Sequence, residues 1–151
     1  MARVHFHIGN LTESKRYTKL VKDKDPWGYV VNTAFYAMYE GQINKFVSFY
    51  KRLPKLESPD KGNVEFVIKF LQEQVINTSD KRYEAVLLSA IAFQTQYLDL
   101  KKAKSRAASI MHKYAVGDIH PELEKLLESI AANRTALPLR VSRKAKKQIH
   151  K

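Results

Sequence analysis

Cysteine is absent from this chain of 151 residues. That excludes a disulfide framework, thiolate zinc sites and a cysteine nucleophile. Glycine and proline are scarce, at five residues each, and no glycine-rich phosphate-binding loop is present. No apolar run approaches the ~18 residues that would suggest a membrane span. The N-terminus, Met1-Ala-Arg-Val-His-Phe-His, lacks the apolar core of a signal peptide. Acidic residues are also few: 15 Asp and Glu stand against 27 Lys and Arg, which gives a net charge of +12 and a pI near 9.8. These absences point to a chain with no membrane span, not secreted, residing inside a cell (cytoplasm or nucleoid) or inside a virion.

What is present is enough for a core. Apolar residues make up 44% and aromatics 11%, which argues against a disordered body. The length fits one domain. The expected architecture is all-α, a single-domain bundle of five or six helices. It divides into an extended N-terminal arm over residues 1–11, the helical body over 12–138 and a basic C-terminal extension over 139–151.

Residues 3–8 alternate with a period of two, which suits an extended arm. Thr12 to Val21 predicts a short helix with Lys15, Arg16, Lys19 and Lys22 outward. Asp25-Pro26 predicts an N-cap and first helical residue. The stripe Trp27, Val31, Phe35, Met38, Phe46, Phe49, Leu53 predicts one helix up to Pro54. Gly41 in its middle costs about 1 kcal/mol relative to Ala and allows close packing or a bend. Asn63–Ile76 predicts the next helix, on the face Val64, Val67, Ile68, Leu71 and Val75. A long helix from Asp80 to Val116, terminated by Gly117, would span about 55 Å; a break near Asp99 is the alternative. Its first half is apolar on most sides, which places it at the bundle's centre. Pro121 opens a last helix with Leu123, Leu126, Leu127 and Ile130 inward and Glu122, Glu124 and Glu128 outward.

Catalytic chemistry finds no carrier. Pro59-Asp60 followed by Glu65 and Lys69 has the wrong spacing, on a helix, for a nuclease centre. His5 and His7 share a strand face without a third ligand, and His112, His120 and His150 are isolated. Asp25 of the Asp23–Asp25 pair serves as a cap. No metal and no cofactor are expected, and the chain reads as non-enzymatic. Tyrosines and phenylalanines fall mostly on core stripes; Tyr36, Tyr39 and Tyr50 sit off the main stripe and suit an interface or a stacking platform.

Positive charge is concentrated in two places. Lys102, Arg106 and Lys113 share one helix face, flanked by Lys101 and Lys104. The last twelve residues hold Arg140, Arg143, Lys144, Lys146, Lys147 and Lys151, half of the net charge of +12, with no acid among them. Val141, Ala145 and Ile149 would align if this tail were helical. Neither cluster has matching acids nearby in sequence. With Arg16 and Lys19 these residues form the candidate nucleic-acid-binding set. Such charge releases counterions from a phosphate backbone, and lysine serves as a point charge rather than a base reader. A polyanion partner is therefore expected: DNA or RNA, gripped by its backbone without sequence preference. The first functional expectation is a self-assembling coat or nucleoprotein subunit, with a viral capsid among its settings. The alternatives are a small helical subunit of a ribonucleoprotein such as a CRISPR effector complex, and an adaptor or regulator that binds an acidic protein.

Overall fold

The computed structural model describes residues 25–114 and 119–140. They contain six α-helices, one short 3-10 turn and no strand. The predicted arm, the Thr12–Val21 helix, the Gly117 terminator and the tail beyond Arg140 lie outside the described residues.

Helix α1 spans Pro26–Tyr39. The Asp25 carboxylate accepts from the Gly28 N–H at 3.0 Å, satisfying a donor that has no intrahelical partner. A Cβ on Gly28 would lie 2.3 Å from Asp25 Oδ2, so this cap requires glycine. Burial pushes the Asp25 carboxyl above its ordinary range, against the lowering effect of the Gly28 hydrogen bond and the nearby Arg140.

The long helix expected up to Leu53 is two helices. α1 stops at Tyr39, and α2 spans Ile43–Arg52. Gly41 sits at φ +79°, the left-handed region. Its N–H donates to Met38 O at 3.1 Å, and the next N–H, of Gln42, reaches Ala37 O at 2.7 Å. This is a Schellman termination. A Cβ at Gly41 would meet nothing within 4 Å, so glycine is there for its backbone freedom, not for close packing. Leu53–Lys55 form the 3-10 turn.

α3 spans Lys61–Asn77, capped by Asp60, whose Oδ1 accepts from Asn63 N at 2.8 Å. α4 spans Lys81–Thr95, capped by Asp80, and α5 spans Leu100–Lys113. The break between them falls at Gln96–Asp99, where Asp99 Oδ1 accepts from Lys102 N at 3.1 Å. Of the two sequence alternatives, the break is the one adopted. α6 spans Pro121–Ala132; His120 caps it, with Nδ1 accepting from Glu122 N at 3.1 Å.

Consecutive helices pack in pairs, α1 on α2, α3 on α4 and α5 on α6, and α4 also meets α1, α5 and α6. The apolar first half of the expected long helix is this central α4. Its Ala85, Val86, Leu87, Ala90, Ile91, Ala92 and Phe93 are all buried. Fully burying one such Val or Leu contributes about 1.5–3 kcal/mol.

Aromatics fill one end of the core. Trp27, Tyr97, Phe93, Tyr50 and Phe46 form a chain of ring contacts with centroids 4.6–6.4 Å apart. Their polar tips pair: Trp27 Nε1 donates to Tyr97 Oη and Gln94 Nε2 to Tyr50 Oη, both at 3.2 Å. Burial pushes the Tyr97 hydroxyl up to about 12, with the Trp27 hydrogen bond acting in the opposite sense. Tyr36 and Tyr50 are therefore core residues, not interface or stacking residues. Tyr39 differs, at 47% exposed, with its ring against Tyr83.

Candidate nucleic-acid interface

Helix α5 buries a narrow stripe, Ala103, Ala107 and Ile110. Everything charged on it is basic, and the fold divides those residues into two rows. Lys102, Arg106 and Lys113 turn toward α3 and line the cleft between α3 and α5. Lys101 and Lys104 do not line the cleft; at ~100° per residue Lys101 lies about 100° around the helix from Lys102, and Lys104 about 160° from Arg106. Lys101 and Lys102 are exposed and Lys104 is half-buried. Exposed Ser105, Ala108, Ser109 and His112 lie between the rows, so the surface there carries three small side chains and one imidazole.

The cleft has two joined hollows that share Gln72 and Arg106, about 470 and 300 Å³ in volume. The larger is floored by Val75, Leu88, Ile91 and Ile110. The smaller mixes Lys69 and Lys102 with Glu65 and Asp99. Arg106 lies along the shared wall, its Nη1 donating to Thr95 Oγ1 at 3.2 Å. The sequence pattern did not single out this cleft. Its trace is an α3 apolar set wider than one packing face requires: Val75 belongs to the stripe, but Ile76 beside it is 81% exposed.

Among the described residues two of the candidate cations have acidic partners that their sequence neighbourhood does not contain. Lys113 Nζ lies 2.7 Å from Glu84 Oε1, and Tyr114 Oη donates to the same oxygen at 2.7 Å. These contacts hold the Glu84 carboxyl below its ordinary value, while burial and the Glu84 charge raise the Tyr114 hydroxyl. Arg140 lies 3.7 Å from Glu57 and 3.5 Å from Asp60. Residues distant in sequence supply both sets of acids, which is why the charge pattern hid them.

Arg140 also ends an anchored strap. Asn133 Nδ2 donates to Gln96 Oε1 at 2.8 Å, Leu137 N to Gln96 O at 3.0 Å and Arg140 N to Pro59 O at 2.7 Å. Arg140 therefore pins the start of the tail to the body. Arg16, Lys19, Arg143, Lys144, Lys146, Lys147 and Lys151 lie outside the described residues.

Among the described residues no group of His, Asp or Glu is placed to hold a metal ion, and no helix is long and apolar enough to cross a membrane. No protein-family model, curated protein or solved structure matches this chain.

Proposed function

We propose that this chain is a non-enzymatic nucleic-acid-binding structural protein. It holds the phosphate backbone of DNA or RNA without reading sequence, as a subunit of a self-assembling coat or nucleoprotein. The observation that carries the reading is the charge of α5. Its fourteen residues include five Lys and Arg and no acid. Lys101 and Lys102 occupy the first turn, where the helix dipole favours anions. Lys102 and Arg106 stand at i,i+4, and Lys101 and Lys104 at i,i+3, where like charges destabilise a helix by about 0.2–0.5 kcal/mol per pair. A helix shaped by solvation alone is better served by mixed signs. An anionic backbone laid over the small residues of α5 reverses each of these penalties, and the tail adds five more cations beyond Arg140.

Salt-dependent binding tests this reading. Duplex and single-stranded oligonucleotides of random sequence are titrated over a range of salt. A steep fall of log K with log salt is expected on duplex, and the double variant K101E/K104E should reduce the slope by about 1.8. Deleting residues 141–151, which keeps the Arg140 anchor, should reduce it by about 4.5. A slope near zero in the wild type overturns the proposal. Electron microscopy with and without DNA tests the assembly part, which fails if the protein stays monomeric on densely loaded nucleic acid.

A further inference from the structure

The larger hollow between α3 and α5 has a chemistry that phosphate binding does not use. Its floor is aliphatic (Val75, Leu88, Ile91, Ile110), and Ile76 extends the apolar surface onto the lip. Among the described residues no aromatic lines it, so these offer unpaired bases no stacking platform. Its charged lining residues among those described are Arg106 and Lys113, both positive. The serines at 105 and 109 leave the α5 wall low. We infer that this groove docks an amphipathic helix from another protein, with its apolar stripe on the aliphatic floor and acidic side chains along the α5 rim.

Charge selects that occupant over this chain's own segments. Residues 12–21 have apolar positions at Tyr17, Leu20 and Val21 but carry Lys15, Arg16 and Lys19 against the single acid Glu13, a net positive charge that would meet Arg106 and Lys113 with like charge. The C-terminal tail fails for the same reason. The acidic helix of the chain, α6, already buries Leu123, Leu126, Leu127 and Ile130 in its own core, so a second copy has no apolar stripe on it to offer. Glu84 occupies one direction around the Lys113 ammonium; an ammonium has two further donors for an incoming carboxylate. Helix-in-groove recognition needs apolar anchors at i, i+3 or i+4, and i+7, and a floor running from α3 across α4 to α5 can receive them.

Arg106 and Lys113 belong to both this groove and the nucleic-acid reading, but Lys101 and Lys104 do not line the groove, so the variant K101E/K104E tells the two apart. The probe is a fluorescein-labelled helical peptide of roughly 18 residues, about five turns, with leucines at i, i+4, i+7 and i+11 and glutamates on both flanks. Anisotropy is read against the full-length chain. Replacing the glutamates by lysines, or moving the leucines out of register, should each weaken binding by about tenfold or more. Ile76→Asp and Ser109→Trp should do the same, one by placing a charge on the lip and the other by filling the groove. Both residues are exposed, and unchanged circular-dichroism melts confirm that neither variant disturbs the core. K101E/K104E should leave peptide affinity within about twofold, as a separate site. The inference is overturned if the out-of-register peptide binds as well as the in-register one, or if both groove variants bind like the wild type. A single-stranded oligonucleotide that displaces the peptide and no longer binds Ile76→Asp would assign the groove to nucleic acid instead. Self-association abolished by Ile76→Asp would assign it to a second copy.

Discussion

Helices α4 and α5 are neighbours of nearly equal length, fifteen and fourteen residues, and they are built to opposite specifications. α4 buries ten of its side chains and α5 three. On α4 two positions in three are decided by packing against α1, α3, α5 or α6. On α5 packing decides a stripe of Ala103, Ala107 and Ile110, and the rest of the helix is free to vary. That freedom is where function is legible. Lys101 and Lys102 run against the dipole in the first turn, and Lys101–Lys104 and Lys102–Arg106 are like-charge neighbours, so stability does not account for these four; Lys113, in the last turn and paired with Glu84, is the exception.

Breaking each helix in turn sharpens the contrast. Leu87→Ala on α4, at a fully buried site, should cost about 2–5 kcal/mol, measured by urea unfolding. Binding per folded molecule should stay unchanged. Asp99→Ala removes the cap at the junction of the two helices and should cost about 1 kcal/mol. A loss below ~0.3 kcal/mol would mean that α5 is held by packing rather than by its cap.

Glu84→Gln cuts the link between the start of α4 and the end of α5. The pair is partly exposed, so the loss should be at most about 1 kcal/mol. It should also depend on pH. The folded Glu84 carboxyl titrates below its ordinary 4.5, so its contribution is present above that value and disappears as pH falls through the folded-state value. Wild type and Glu84→Gln should differ at pH 7 and converge in acid; a gap that persists at low pH would assign the effect to packing. The smallest effect on stability belongs to Lys101→Ala with Lys104→Ala, within about 0.5 kcal/mol, even though this variant should visibly flatten the salt dependence of binding.

The same contrast explains which parts of the molecule could be read in advance. The Asp25-Pro26 start, the turn from Asn77 to Asp80 and the central position of α4 were legible because capping and burial are local or strongly periodic. The break at Gly41 was not. Phe46 and Phe49 of α2 fall in register with Trp27, Val31 and Phe35 of α1, so two helices facing one core mimic a single stripe. Gly41 followed by polar Gln42 was the available sign, and a Schellman end explains the pair better than a bend does. Of the candidate site, the composition of α5 was legible, but its division into two rows was not. Which side of the helix faces α3 depends on how α3 and α5 both settle on α4. The partners of Lys113 and Arg140 were equally hidden, because Glu84, Glu57 and Asp60 arrive through tertiary contacts.

The strap that fixes Arg140 to Pro59 sets a limit on geometry. Residues 141–151 span at most about 40 Å from that anchor. On a duplex rising ~3.4 Å per base pair, every cation of one tail falls within a radius of about a dozen base pairs. In an array of copies this turns a sequence length into a pitch. Neighbours closer than twice that reach can overlap the footprints of these residues. If copies assemble on nucleic acid as proposed, removing a few of these residues should tighten the spacing at which their footprints meet, which electron micrographs would measure.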